Sequence, residues 1–397
     1  MRPIKICDNL YWVGAIDWNV RNFHGHTYTV NNGTTYNAYL IIDEKVALVD
    51  TVLGAFKGEM IERIREIVPI DRIDYIIANH VEPDHSGALP SVLGLCPDAK
   101  VYGSAKCKDG LEKHYPGKRD FNIVKSGDKL SLGKRDLSFI EAPMLHWPDS
   151  MFTYIEKDAL LLPNDAFGQH LASSGRFDDE IDNYLLMQEA RKYYANILWP
   201  FSGLVVKKIE QIVKMGIPIK MIAPSHGVIW RNNPKQIIDA YSKWGNNTAS
   251  YRVVVAYETM WGSTEKMAKA ISQGIMDSGV TVKFYDINKS DKSEIITDML
   301  ESKGYMLGSS THDNSVLPNI AGFLEFFKGM KPKNRIGGAF GSYGWAGGSV
   351  PFIEKVMGEA GVKMPLGSVA IKYVPNIEEI NQCYEYGVNF AKAIKEG

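Results

Sequence analysis

Cysteine is scarce in this chain. Of 397 residues only Cys7, Cys96, Cys107 and Cys383 carry thiols, and no two of them form a Cys-x-x-Cys pair. That scatter argues against a built-in rubredoxin or iron–sulfur module and against a disulfide framework, and it fits a reducing cytoplasm. An excess of one charge is also missing. Lys and Arg number 45 against 46 Asp and Glu, leaving a formal net charge of −1 and no basic run to hold a nucleic acid. No apolar stretch nears the ~18 residues of a membrane span. The opening Met1-Arg-Pro-Ile-Lys-Ile-Cys-Asp8 lacks the apolar core of a secretory signal. A cytoplasmic protein without a nucleic-acid or membrane partner is expected. No G-x-G-x-x-G occurs, which disfavours a Rossmann dinucleotide site.

What is present reads as two globular domains, residues 1–249 and 250–397, joined by the small and polar Trp244-Gly-Asn-Asn-Thr-Ala-Ser-Tyr251. In the first, Tyr36–Asp43 and Lys45–Asp50 read as a hairpin, and a helix is expected from Phe56 to Val68. A strand then ends at Ala78. Further strands are expected at Lys100–Gly103, Leu137–Ala142, Met151–Ile155 and Ala159–Leu162, with another entering His226. Strands with helices between them predict a mixed αββα sandwich. The second half alternates. Strands are expected at Arg252–Tyr257, Val280–Asp286, Tyr305–Ser309, Arg335–Phe340 and Gly367–Tyr373, each followed by a helix. Five βα units predict a doubly wound parallel sheet.

The most telling residues follow Ala78. Asn79-His-Val-Glu-Pro-Asp-His85 places His80, Glu82, Asp84 and His85 within six positions at a strand end. Two imidazoles and two carboxylates packed this closely call for a cation among them. His146, Asp165 and His226 each stand beside an apolar stretch. Seven ligands suffice for two metals, and a set of nitrogen and carboxylate oxygen without cysteine suits iron, manganese or zinc. Asp165 is the natural bridge, since one carboxylate can hold two cations. Asp50, at a neighbouring strand end, is a candidate for orienting a ligand histidine.

A second constellation lies downstream. After Arg252–Tyr257 come Glu258-Thr-Met-Trp-Gly-Ser-Thr264 and a helix. Hydroxyls of Thr259, Ser263 and Thr264, with backbone N–H groups at a helix N-terminus, make an anion site, and Gly262 lets the backbone approach closely. Met260 and Trp261 complete this loop. Neutral donors of this kind suit a monophosphate. Two more loops leave later strand ends: Ser309-Ser310-Thr311-His312-Asp313-Asn314, and Gly341-Ser342-Tyr343-Gly344-Trp345-Ala346-Gly347-Gly348. In a doubly wound sheet such loops converge on one crevice. The glycines allow close approach to a flat ring, which Tyr343 and Trp345 can stack upon or shield.

The two constellations together resemble the flavodiiron proteins. The resemblance rests on His80-x-Glu82-x-Asp84-His85, His146, Asp165 and His226, with Pro143-Met-Leu-His-Trp-Pro-Asp149 and Leu162-Pro-Asn-Asp-Ala-Phe167, and it covers nearly the whole chain. It implies a metallo-β-lactamase-like domain fused to a flavodoxin-like domain. It implies two non-haem irons, one on His80, Glu82 and His146 and the other on Asp84, His85 and His226, bridged by Asp165, and FMN on the three later loops. Glu82 stands where zinc hydrolases of that fold carry histidine, which weighs against a zinc hydrolase. His24, His170 and Tyr194 (or Tyr193) are implied as groups that hydrogen-bond a metal-bound species. The implied activity is reduction of O2 to water, of NO to N2O, or of both. The donor is rubredoxin or reduced coenzyme F420. A head-to-tail homodimer, or a dimer of such dimers, is implied, in which the FMN of one chain serves the irons of the other.

Overall fold

The computed structural model describes residues 2–396, which form two compact units. The first holds the chain through Phe23, Val30–Tyr193 and Gly203–Ser242; the second holds His24–Thr29, Tyr194–Ser202 and the chain from Lys243 onward. Two short pieces of the N-terminal portion belong with the C-terminal unit, and so does the expected linker. Within the second unit, Arg335 donates to the Asn247 carbonyl (2.8 Å) and the Trp199 indole N–H to Asn247 Oδ1 (3.3 Å).

In the first unit a seven-stranded sheet runs in the order Ile4–Cys7, Leu10–Trp12, Tyr39–Ile42, Val46–Val49, Ile73–Ala78, Lys100–Gly103, Phe121–Ile123. Its first four strands are antiparallel neighbours and the rest pair parallel. A five-stranded sheet follows in the order Lys129–Ser131, Asp136–Glu141, Met151–Ile155, Leu160–Leu162, Met221–Ile222. Side-chain alternation decides the layering. Leu40, Leu48 and Ile76 join a core with Met60, Ile61 and Ile64 of the Lys57–Arg65 helix and with Leu89, Val92 and Leu111. Their neighbours Tyr39, Ile41, Ala47, Val49 and Ile77 face the other way, into a core with Leu137, Phe139, Met151, Ile155, Leu160 and Leu162 of the second sheet. Alternate residues of that sheet, Ile140, Phe152, Tyr154 and Leu161, are buried too, as are Val205, Ile209 and Ile212 of the Ser202–Lys214 helix and Ile237 and Tyr241 of Pro234–Gly245. Both sheets are thus covered on both faces, as the αββα expectation requires.

The second unit carries five parallel strands in the order Thr281–Asp286, Ser250–Glu258, Ser302–Ser310, Ile336–Tyr343, Val369–Lys372. The first strand in the chain is second in the sheet, so the connections reverse direction beside it. That reversal opens the crevice at the strands' C-terminal ends. Val253, Val255 and Tyr257 pack with Met267, Ile271 and Ile275 of the Ser263–Asp277 helix and with Phe390 and Ile394 of Ile377–Glu396.

Candidate metal centre and flavin cleft

All seven expected metal ligands meet in the first unit, in two groups. His80, Glu82, His146 and Asp165 form one, and Asp84, His85 and His226 the other, with donor atoms in each group within 4.8 Å of one another. His80 leaves the end of the Ile73–Ala78 strand. The short helix Pro83–Ser86 begins directly after Glu82, with proline in its first turn, and turns Asp84 and His85 back toward the site.

The two oxygens of Asp165 face different groups. Oδ2 lies 3.4 Å from His146 Nε2 and 3.6 Å from His80 Nε2; Oδ1 lies 3.1 Å from His85 Nε2 and 3.4 Å from His226 Nε2. Glu82 Oε2 stands 3.2 Å from His146 and 3.3 Å from His80, while Asp84 Oδ2 stands 3.2 Å from His226. Asp84 Oδ1, Asp165 Oδ2 and both ring nitrogens of His85 are buried without a hydrogen-bond partner, although Asp84 Oδ1 and His85 Nε2 are 3.4 Å apart. Of these, His85 Nε2 and the two carboxylate oxygens face the same small volume, and cations there would satisfy them. The residues present therefore fit a pair of metal ions.

Electrostatics point the same way. Burial disfavours the imidazolium form of His80, yet Asp149 and Glu82 override it and push the ring up to about 10. Against the same burial penalty, Asp165 and Glu82 raise His146 to about 10, and Asp84 and Asp165 raise His85 to about 9. Burial would raise Asp165, but the imidazoles around it hold its carboxyl well below the usual range. The carboxylates create a field that demands positive charge, and protons supply it when metals do not.

Outer contacts fix how the ligands point. His80 Nδ1 pairs with Asp149 Oδ2 at 2.9 Å, and the same oxygen accepts the Val81 N–H at 2.7 Å. His226 Nδ1 pairs with the Thr35 carbonyl at 2.7 Å. In each ring Nδ1 then carries the proton and Nε2 is left to ligate. Tyr193 donates to Asp165 Oδ1 at 3.0 Å and Ser225 at 3.2 Å. His170 is buried, with Nδ1 2.8 Å from Thr34 Oγ1 and its ring 4.7 Å from that of His226. Trp147 meets the His80 ring edge-on at 5.1 Å.

In the second unit the three loops do converge. Thr264 Oγ1 lies 2.9 Å from both Ser310 Oγ and Ser342 Oγ, so one buried hydroxyl cluster joins the ends of three strands. Gly262 takes φ +86° at the N-cap of the Ser263–Asp277 helix, a conformation that glycine adopts without strain, and its N–H donates to Thr259 Oγ1 at 3.0 Å. The Met260 N–H donates to Ser310 Oγ at 3.2 Å. Asp313 and Asn314 both have positive φ between the paired His312 and Ser315, a two-residue turn of the kind asparagine and aspartate tolerate. A Cβ on Gly348 would fall 1.9 Å from the Asn314 carbonyl oxygen, so glycine there lets the second and third loops touch. A cleft of about 540 Å³ opens between them, lined by Met260, Trp261, Ser263, Ser310, Thr311, His312, Asp313, Ser342, Tyr343, Gly344 and Trp345, and also by Tyr373 and Val374. Trp261 and Trp345 are each 90% exposed at its rim, placing two flat apolar faces where a ring system can dock.

Residues 34–227 match the family model for the ODP family beta lactamase, and residues 255–387 match that for flavodoxin. A nitric oxide reductase of Moorella thermoacetica is 48% identical over the full length of both chains. Among solved structures, the rubredoxin oxygen:oxidoreductase of Desulfovibrio gigas is 39% identical with TM-score 0.97, covering 100% of this chain and 99% of its own. The flavodiiron protein of Giardia intestinalis is 33% identical with TM-score 0.95, covering 100% and 97%. The chain belongs to the flavodiiron proteins. It is an oxidoreductase whose cofactors are a diiron centre and FMN, and the metallo-β-lactamase-like and flavodoxin-like expectations for its fold hold.

Tyr193 is the tyrosine bonded to Asp165; the Tyr194 hydroxyl, in the second unit, pairs with Ser202 Oγ at 3.0 Å. A π-helical turn at Tyr194–Leu198 ends the Asn183–Tyr193 helix between the two tyrosines. His24 belongs to the second unit and is exposed, its carbonyl accepting the Thr27 hydroxyl at 2.8 Å. Asp50 accepts from Asn79 and Asn164 rather than from a ligand histidine. The carboxylate that orients a ligand is Asp149, which stood in the sequence at the end of the Pro143–Asp149 motif with no role assigned to it. Tyr373 and Val374 in the cleft were missed, although they follow the last parallel strand as the other loops follow theirs.

Proposed function

We propose that this chain reduces NO to N2O and O2 to water at its diiron site, in the cytoplasm, with electrons passed through FMN from rubredoxin. The carrying observation is the single carboxylate of Asp165 facing two separate imidazole groups, in a chain that also holds a flavin cleft. His80, Glu82, His146 and Asp165 would hold one iron, and Asp84, His85, His226 and the same Asp165 the other. When bound, the irons and FMN supply the redox chemistry: four electrons take O2 to two waters, and two take two NO to N2O and one water.

The chain's residues prepare the site for that work. Asp149 and the Thr35 carbonyl engage the Nδ1 atoms of His80 and His226, which leaves Nε2 of each ring turned to the metal site. Burial and the Asp165 charge keep the Tyr193 phenol protonated, so an O–H stays beside the shared carboxylate. Phe23, stacked on His170 at 4.3 Å, and Trp147, against His80, wall the site with apolar surface. The names of the Moorella and Desulfovibrio relatives support NO, O2 and rubredoxin as reactants.

Steady-state consumption of NO and of O2, with reduced rubredoxin and separately with reduced F420, tests this reading. Turnover of both gases with rubredoxin is expected, and no turnover with either donor would sink it. The proposed working unit is a head-to-tail homodimer in which FMN of one chain serves the irons of its partner. Mixing His146→Ala chains with Thr264→Glu chains under subunit exchange should restore activity. Failure to restore it in proven mixed dimers would rule out cross-chain transfer.

A further inference from the structure

Two ligand-bearing segments of the first unit start from different sheets. His80 follows the Ile73–Ala78 strand of the seven-stranded sheet, and Asp165 follows Leu160–Leu162 of the five-stranded one. Between them stands Asp50, at the end of the Val46–Val49 strand and only 4% exposed. Its backbone N–H closes onto the Ile77 carbonyl at 2.8 Å. Its carboxylate accepts three N–H groups, and none comes from a metal ligand. Oδ1 accepts the Asn79 backbone N–H at 2.7 Å; Oδ2 accepts the side-chain amides of Asn79 and Asn164, each at 3.2 Å.

The two asparagines immediately precede the ligands His80 and Asp165, and each is tied further into the sandwich. Asn79 Oδ1 accepts the Thr153 hydroxyl at 2.7 Å, and its carbonyl accepts the Met151 N–H at 2.9 Å. The Asn164 carbonyl accepts the N–H of Ser225, next to the ligand His226, at 2.8 Å. One buried carboxylate therefore clamps a ligand-bearing segment from each sheet, and through Ser225 it reaches a third.

We propose that Asp50 is a positioning residue that sets the His80–Asp165 separation and with it the spacing of the two irons, an inference that rests on the two-metal reading. A carboxylate suits the place because it only accepts, and all three neighbours donate. An amide fits it poorly. With its oxygen on the Asn79 backbone N–H, an asparagine at this position would turn its own N–H2 toward the side-chain N–H2 of Asn79, whose oxygen Thr153 already holds, and so force the two apart.

The test uses the full-length, flavin-loaded protein, titrated anaerobically with ferrous iron, followed by X-ray absorption measurement of the iron–iron distance. Asp50→Asn removes the clamp. Asn164→Gly removes only the arm toward Asp165, and glycine accepts the left-handed backbone (φ +53°) found there, so this variant should fold even if the first does not. Both should keep FMN, bind the second iron about 10–100-fold more weakly, and show a changed iron–iron distance, the shift being smaller for Asn164→Gly. Wild-type affinity and an unchanged distance in folded Asn164→Gly would overturn the proposal. A lower melting temperature with unaltered iron binding would overturn it too, since that marks a purely structural role. A wild-type chain that binds no pair of irons would instead sink the two-metal reading, and this inference with it.

Discussion

The metal centre and the flavin cleft are built by opposite means. The metal centre is made of charged and imidazole side chains, nearly all buried, with His80 pointed by Asp149, His226 by the Thr35 carbonyl and Asp165 by Tyr193 and Ser225. The cleft is made of backbone turns and small hydroxyls under a rim of exposed aromatics, with Trp261 and Trp345 each 90% exposed. A cation of fixed size needs donors held in place, so the first site is buried and braced by outer hydrogen bonds. A flat ring system with a phosphate needs surface and N–H groups, so the second is open and its side chains are more replaceable.

That contrast breaks most clearly at Asp165, the one side chain shared by both ligand groups. Asp165→Ala should bind fewer than two irons and lose essentially all turnover, while FMN stays stoichiometric. Metal analysis beside the flavin absorbance checks this, and two retained irons would refute the bridging role.

The reciprocal change is Thr264→Glu, which sets a carboxylate at the hydroxyl cluster. At ~4 Å and an effective dielectric near 20, one unit of repulsion against the phosphate is about 4 kcal/mol, or roughly a thousandfold in FMN affinity. Iron content should not change. Thr264→Ala removes only the shared hydroxyl and should cost on the order of tenfold. Flavin fluorescence on dilution reads both, and tight FMN retention by the glutamate variant would move the phosphate elsewhere.

Asp149→Asn probes bracing rather than ligation. The amide can no longer accept strongly from His80 Nδ1 and Val81 N, so iron affinity should fall about 10–100-fold with the ligand set intact. An unchanged iron titration would show that the pointing of His80 is set by packing against Trp147 alone.

The pH response separates the two regions again. In the metal-free chain His80 and His146 are raised to about 10 and His85 to about 9, above the ~6.5 of an unfolded chain. Their protons therefore stabilise the metal-free fold fully below about pH 6.5, and that stability is lost as pH rises through 9–10. Iron competes with the same protons, so its affinity should rise across that window. The melting temperature of metal-free protein should fall between pH 6.5 and 10, and iron loading should flatten the slope. An equally steep slope in metal-free His146→Ala would show that other groups are responsible.

The smallest effect is expected at the cleft rim. Trp345→Ala removes an exposed side chain with little packing to lose, so stability should change by no more than about 0.5 kcal/mol, while FMN binding weakens severalfold. A large loss of stability would mean the tryptophan is covered in the working assembly.

Particular residues show why one region was easier to read than the other. His80, Glu82, Asp84 and His85 fall within six positions, and few structural demands other than a cation crowd those types together. The hydroxyls of Thr264, Ser310 and Ser342 are ordinary cap and turn residues, so only their places after successive strands mark them. Tyr193 and Tyr194 are adjacent in sequence and identical in chemistry; which one meets Asp165 depends on where the Asn183–Tyr193 helix gives way to a π-helical turn.

The sequence by itself determined the residue types of both sites, the two fold classes, all five strands of the second unit's sheet and eight of the twelve strands in the first unit's two large sheets, because each rests on local chemistry: ligand hardness, side-chain periodicity and the glycines that permit a turn. Tertiary structure alone decided which oxygen of Asp165 faces which group, that Asp149 points His80, that Asp50 joins Asn79 to Asn164, and that His24–Thr29 and Tyr194–Ser202 belong with the second unit. Each of these depends on distances between residues many positions apart, set by how two sheets pack face to face, and no local pattern encodes that spacing.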